Sequence, residues 1–417
     1  MYNDILNREL YHSFLYFYKH ANLEDGSRGY GLISDDARLP NRASIASVGF
    51  GLTMYVIGVE NGFITRAEAL KIVKGTFTTF LNNISHFHGF YVHYCHRDNG
   101  LPYRKSEYST IDTVLFLNGA IVCDAYFDDS ELHVMFLQLI ERVDYKQFIM
   151  EYKNKLVFRM AYNPHLDGDY RGKSHDPWIY HWHMYAEQLS MYFLFAGKDD
   201  TDQETALKLY DGFERNIGKY KDYEYVYCPT NALFIYQYSH AWFDFRNLVD
   251  EHGFDWFNNS VIATKANKAY CIDKKSTYPI LGENAWGLTA CITPEGYRNQ
   301  VVEPNDLNPN EIHVSGVLPP SGALGSITFV GEESGRVAEH LINDYPESFG
   351  PFGFYDGLTL IDGELWISKD YVGINKGITG VMIDNYLHGT VYKLYMSHPY
   401  IKKAITKLKF KEATKIG

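Results

Sequence analysis

The chain has 417 residues, 46% hydrophobic and 22% charged, which is the composition of a folded globular protein and excludes general disorder. Its formal charge of −12, from 39 Lys+Arg against 51 Asp+Glu, leaves no basic surface to displace counterions from phosphates, which argues against a nucleic-acid partner and against anionic polysaccharides. Five cysteines (Cys95, Cys123, Cys228, Cys271 and Cys291) are odd in number, widely spread and never in a C-x-x-C pair, so neither a disulfide framework nor a zinc site is indicated.

Aromatic content is the unusual quantity: 16%, with 35 Tyr, 26 Phe and 6 Trp. Tyrosine joins a flat apolar face to a hydroxyl tip, which suits stacking on sugar rings, although helix-packed cores also use Tyr and Phe as filler. No run of ~18 uninterrupted apolar residues is present to cross a membrane. The N-terminal segment lacks a basic start followed by an apolar stretch, so a cytoplasmic location is expected.

Helical periodicity recurs from end to end. Leu6, Leu10, Phe14 and Phe17 share one face of a first helix, and Ile45, Val48, Leu52 and Val56 share one face of a second. Thr65 and Glu68 form a capping box for a third, which continues through Ile72, Val73, Phe77, Phe80 and Leu81. Further helices are predicted over 109–126, 131–143, 178–197, 202–216, 255–271, 335–343 and 378–397, with a second capping box at Thr201–Glu204. The basic run Lys402, Lys403, Lys407, Lys409 and Lys411 reads as the solvated face of a last helix. Alternating β-branched runs are nearly absent; Leu156–Met160 and Leu365–Ser368 are at most short hairpin pieces. About ten to twelve helices without a fixed repeat favour a closed double ring over a solenoid, and so one domain over 1–417 with long loops gathered at one end.

Glu187 carries the strongest chemical signal. It sits in Tyr185-Ala186-Glu187-Gln188, inside a stretch from Trp178 to Ala196 that is apolar or aromatic nearly all round and is therefore expected to be a buried helix. A carboxyl there needs a partner or a raised pKa, and a carboxyl protonated near neutrality suits a general acid. The competing reading is a structural Glu bonded to a neighbouring Tyr or His. On such a helix His181 and His183 point about 200° apart and do not converge on a metal. His86, Phe87, His88, His93 and His96 have no fixed metal spacing and read as a loop, so neither metal nor cofactor is expected.

Asp112 is the second carboxyl. Ser109 caps the helix and Asp112 occupies its third position, where a purely capping role is as good an account as a catalytic one. The helix N-terminus would hold the aspartate ionised, giving the unequal pair that inverting glycoside hydrolysis uses. Competing loop residues are Arg97 and Asp98, Asp244 with Arg246, Glu283 beside Trp286, Asp356 and Asp370.

At these residues the chain resembles the glycoamylase-like family, which includes the inverting endo-β-1,2-glucanases of glycoside hydrolase family 144. The matching stretches are Ala43–Leu52, Ser109–Thr113, Tyr185–Glu187, Ser239–Arg246, Gly282–Ala290 and Gly353–Asp356, in family order over roughly residues 30–405. The resemblance implies an all-α (α/α)6 barrel with a sugar cleft at its loop end, and a hydrolase of β-glucan, most of all β-1,2-glucan or its oligosaccharides. It supports Glu187 as acid and puts Asp112 on an acidic cleft motif, with the base placed alternatively at Asp356 or Asp370. Tyr180, His183, His240, Trp242 and Trp286 are expected to bind or stack on sugar. The stretch Leu318–Gly325 matches the family pattern only loosely, and Asp384-Asn385 stands where a glutamate often precedes the asparagine. Two rival functions are a sugar-binding protein without turnover, and an epimerase or phosphorylase on a helical toroid. The epimerase would need His183 and His240 to face each other.

Overall fold

The computed structural model describes residues 2–171 and 175–413. Fifteen α-helices follow one another among the described residues. They are α1 (Tyr2–His20), α2 (Ile45–Glu60), α3 (Arg66–Asn82), α4 (Thr110–Phe127), α5 (Ser130–Arg142), α6 (Leu189–Gly197), α7 (Gln203–Tyr210) and α8 (Phe234–Gln237). The remainder are α9 (Trp256–Asp273), α10 (Pro320–Leu324), α11 (Ile327–Val330), α12 (Glu332–Asp344), α13 (Gly373–Leu387), α14 (Thr390–Ser397) and α15 (Pro399–Lys407).

Their sequences divide them into two kinds. Helices α2, α4, α6, α10 and α13 are buried on nearly every face, as their all-round apolar composition requires. Between them run helices with one buried stripe, such as α3, α5, α7 and α12, whose other faces carry charge. α2 packs against α4 on one side and α13 on the other, α13 reaches α10 and α11, and α4 reaches α6. Side-chain bonds extend the sequence of neighbours: Ser239 Oγ accepts from the Ser190 amide of α6, and Gln237 of α8 donates to the Gly322 carbonyl of α10.

The α2–α4 crossing is unusually close. A Cβ on Gly119 would stand 2.1 Å from the Gly49 carbonyl oxygen, and one on Gly49 would stand 2.2 Å from that of Leu115. Main chain cannot swing aside as a side-chain tip can. Gly119→Ala is therefore expected to destabilise the fold by about 2–3 kcal/mol, read as a lowered urea midpoint with an unchanged slope.

Two helix starts follow the caps read in the sequence. Thr65 Oγ1 accepts from the Glu68 amide and Ser109 Oγ from that of Asp112. The cap of α7 is instead Asp202, which accepts from Thr205, so the box expected at Thr201–Glu204 is displaced by one residue. The helix expected over 202–216 ends at Tyr210, and that over 378–397 divides at His388-Gly389, where Gly389 takes φ +68°. Lys402, Lys403 and Lys407 lie on α15, but Lys409 and Lys411 lie beyond it, Lys411 in a strand paired with Val249.

The largest correction concerns 178–197. Trp178–His181 is a strand, 182–188 is irregular, and α6 begins only at Leu189. A continuous aromatic run has no 3.6-residue stripe to separate helix from strand, and Trp, Ile and Tyr pair well in a sheet. Its partner is Lys155–Tyr162, longer than the hairpin piece expected there, which also pairs with Ile149–Tyr152 and Tyr108–Ser109. Among the described residues seven further two-stranded antiparallel sheets decorate the loops, including His86–Phe87 with Phe90–Tyr91, so the fold is helix-rich and not purely helical. α4 is long and apolar enough to cross a bilayer, but 78% of it is enclosed by the rest of the chain. All five cysteines are buried and free.

Candidate active site

The four-stranded sheet assembles the site. Ala161 pairs with Ser109 on one edge and Ile179 on the other, so the start of α4 and the segment leading to α6 flank one strand. Trp182 ties the two sides together: its indole N–H donates to Thr110 Oγ1 at 3.1 Å, and its amide donates to the Phe158 carbonyl at 2.7 Å. Between them opens a cavity of about 260 Å³ whose walls include Asp112, Glu187, His93, Glu107, Tyr170 and Tyr180.

Glu187 sits not in a helix but in the turn before α6, half-buried, with its carbonyl accepting from Ser239 Oγ at 2.8 Å. Its carboxyl is pushed up to about 7, first by loss of solvent and further by the charge of Asp112, against the pull of its own backbone amide. Asp112 takes the capping position foreseen for it. Ser109 Oγ donates to its Oδ2 at 2.5 Å. Burial moves the Asp112 carboxyl upward, opposed by His93, Ser109 and the helix-start amide. The expectation that the helix terminus holds it ionised was thus incomplete, because its nearest counter-charge is a histidine. Burial alone would depress His93, yet Asp112 and Glu107 raise it to about 9.

A second group of carboxyls stands near. Asp356 accepts from the Ile292 amide at 2.6 Å and from Asn375 at 2.7 Å, and burial pushes it up to about 7. Its neighbours are Asp36, clasped by Arg38, and Asp370, whose Oδ2 is 3.5 Å from the Arg38 Nε. Burial also raises Asp370. Asp35 pairs with Arg42 at 2.7 Å. Glu187, Asp356, Asp112 and Asp35 all act on the Tyr238 phenol, which burial first, and then these charges, hold well above its ordinary pKa. The two carboxyl groups are therefore parts of one acidic region.

Several residues expected in the cleft lie elsewhere. Trp242 is fully enclosed, donating to Thr53 Oγ1 and lying against Phe50, and Trp286 is equally enclosed, so neither offers a face for stacking. His240 is buried against Ser260 at 3.0 Å and pushed down to about 3, so it does not face His183. His183 packs beside Tyr152 and His181. Arg97 donates to the His20 carbonyl and Asp98 accepts at its backbone from Ser27, in a turn whose residues are not among the cavity walls. Asp244 and Arg246 bond to each other beside Tyr392, and Glu283 pairs with Lys268 at 2.6 Å. The exposed aromatic rings at the cavity are Tyr170 and Tyr180, 61% and 72% accessible. Tyr180 holds φ +42°.

Asp35, Asp36, Arg38, Glu107, Tyr170 and Tyr238 escaped the sequence reading. The adjacent acids of Asp35-Asp36, answered by Arg38 and Arg42, were the available signal. Glu107 and His93 acquire a partner only through strand pairing, which no local pattern announces.

With this geometry in hand, three comparisons place the chain. A curated exo β-1,2-glucooligosaccharide sophorohydrolase (non-reducing end) from Parabacteroides distasonis is 25% identical over 394 residues, 86% of this chain and 52% of that protein, so the chain spans about half the length of this relative. A crystal structure described as a "putative glucoamylase" from Bacteroides caccae matches with TM-score 0.83 and 26% identity over 99% of this chain and 100% of that one. The endo-β-1,2-glucanase of Chitinophaga pinensis, solved with sophorotriose and glucose, shares the fold with TM-score 0.84 and 24% identity over 99% of each chain. The Glycoamylase family model, described as "Putative glucoamylase", matches residues 179–399, more than half of the sequence, and the chain belongs to that family.

Proposed function

We propose that the chain is a single catalytic domain, an (α/α)6 double ring, that hydrolyses β-1,2-glucan or its oligosaccharides with inversion. The ring reading is supported by the alternation of enclosed and one-sided helices and by the return of α13 onto α2. The substrate reading draws on the relatives named above. The observation that carries the chemistry is that Glu187 and Asp112 line one cavity in unequal surroundings.

Glu187 is protonated up to a pH of about 7 and delivers its proton to the leaving glycosidic oxygen. Asp112, beside protonated His93, takes a proton from water on the opposite face of the sugar. Tyr180, expected at the cleft from the sequence, and Tyr170 supply the stacking faces, and the enclosed Trp242 and Trp286 do not. An epimerase working through His183 and His240 loses its histidine pair, because His240 is enclosed.

Incubation with linear β-1,2-glucan and sophoro-oligosaccharides, with and without phosphate, tests the proposal. Reducing ends should appear independently of phosphate, and proton NMR should record the α-anomer first. A β-anomer appearing first would mean retention, phosphate dependence would mean phosphorolysis, and binding without turnover would leave only the sugar-binding role.

A further inference from the structure

His93, half-buried, and Glu107, buried, line the same cavity as the two carboxyls, yet neither proton transfer uses them. Their meeting is a product of register. Val92 bridges to Tyr108, and the His93 amide donates to the Glu107 carbonyl at 2.8 Å, so the two side chains emerge next to each other. Nδ1 of His93 then lies 2.6 Å from Oε1 of Glu107, and the opposite ring nitrogen, Nε2, lies 3.5 Å from Oδ1 of Asp112. The second oxygen of Asp112 is taken by Ser109. Tyr94 stacks on the imidazole with centroids 3.7 Å apart, and Tyr170 lies near-parallel at 6.4 Å. The charged and titratable groups facing the ring are thus Glu107, Asp112, Asp35 with its partner Arg42, and the two tyrosines.

We infer that Glu107 and His93 are positioning residues for Asp112, a carboxylate–imidazolium–carboxylate row that orients Asp112 and keeps it anionic in a cleft that would otherwise neutralise it. The inference rests on reading Asp112 as the base. An imidazole hydrogen-bonded to one carboxylate and 3.5 Å from a second is favoured by both as a cation, with hydrogen on each nitrogen. Burial opposes that cation, and the two neighbouring charges overcome the opposition. The row therefore carries one net negative charge, lodged where water must lose a proton. A neutral imidazole would leave Asp112 with Ser109 and the helix-start amide alone, and burial would drive it further toward the acid form. The acid limb of the pH–rate profile would then rise toward the alkaline limb set by Glu187 and narrow the active window.

His93→Gln and Glu107→Gln test this, with titration of the ring nitrogens and of the Asp112 carboxyl by heteronuclear NMR. In the wild type the ring should titrate near 9, and Asp112→Asn should lower that midpoint. His93→Gln should raise the acid limb of kcat/KM by about one pH unit or more and lower kcat at pH 7 by about 10- to 100-fold, with KM within about threefold. Glu107→Gln should give a smaller shift in the same direction. A structural role alone would lower the rate evenly at every pH. Ring titration near 6.5 in the wild type, or a limb that stays in place in both variants, overturns the inference. If the protein hydrolyses no β-glucan, the proposed function fails separately. The Asp112 midpoint in wild type against His93→Gln then decides: an upward move sustains the row and a fixed midpoint overturns it.

Discussion

Glu187→Gln is expected to lower kcat on sophoro-oligosaccharides by about 10³–10⁴-fold while substrate affinity changes less than about threefold. Glutamine keeps the shape and the hydrogen-bonding reach of the side chain but has no proton to give. The side chain opens on the cavity, and Gln188 rather than Glu187 stands at the N-cap of α6, so the variant should fold normally. The sign of the pH dependence follows from the upward shift. Because the carboxyl must be protonated to act, turnover should fall as pH rises through about 7, and that alkaline limb should vanish in the variant's residual activity. An alkaline limb persisting in Glu187→Gln would assign the acid to another group.

Asp112→Asn is expected to cost about 10²–10⁴-fold in kcat, again with little change in KM. Here the sign is the reverse. The base must be anionic, so turnover should fall as pH drops through the Asp112 pKa, which lies above the ordinary aspartate range. The helix start should survive, because Ser109 caps it through the Asp112 amide and not through its carboxylate. Asp356→Asn is the informative control. That carboxyl holds the Ile292 amide and the Asn375 side chain, so its loss should appear as lowered stability together with lowered activity. Full activity in Asp112→Asn, with loss of the acid limb in Asp356→Asn, would move the base to the second carboxyl group.

The sequence and the structure agree wherever local rules dominate. Ser109, Thr65 and the stripe of α3 announce themselves because caps and a 3.6-residue period act within a few residues. Glu187 and Asp112 stood out because a carboxyl in an aromatic stretch, or at a helix start, is anomalous over the same short distance. What stayed illegible depends on pairing at a distance. The strand Trp178–His181 looks helical until Lys155–Tyr162 is known to lie beside it, and Glu107 looks like a surface residue until Val92–His93 is aligned with it. The tryptophans misled for a related reason. Trp286 stands in a glycine-flanked loop and Trp242 among other aromatics, which suggests platforms, but Phe50 and Thr53 enclose Trp242, and the cleft is faced by Tyr170 and by Tyr180, the one ring of that set named from the sequence.

The strand Lys155–Tyr162 holds both walls of the cleft, one on each edge. Ladder spacings of ~4.8 Å on either side put Ser109 and Ile179 ~9.6 Å apart, with Asp112 three residues beyond the first and Glu187 eight residues beyond the second. The two carboxyls therefore share one support, and a shift of that rail moves both. Substitutions that loosen the middle strand should weaken acid and base together, whereas a change at either carboxyl should weaken one of them alone.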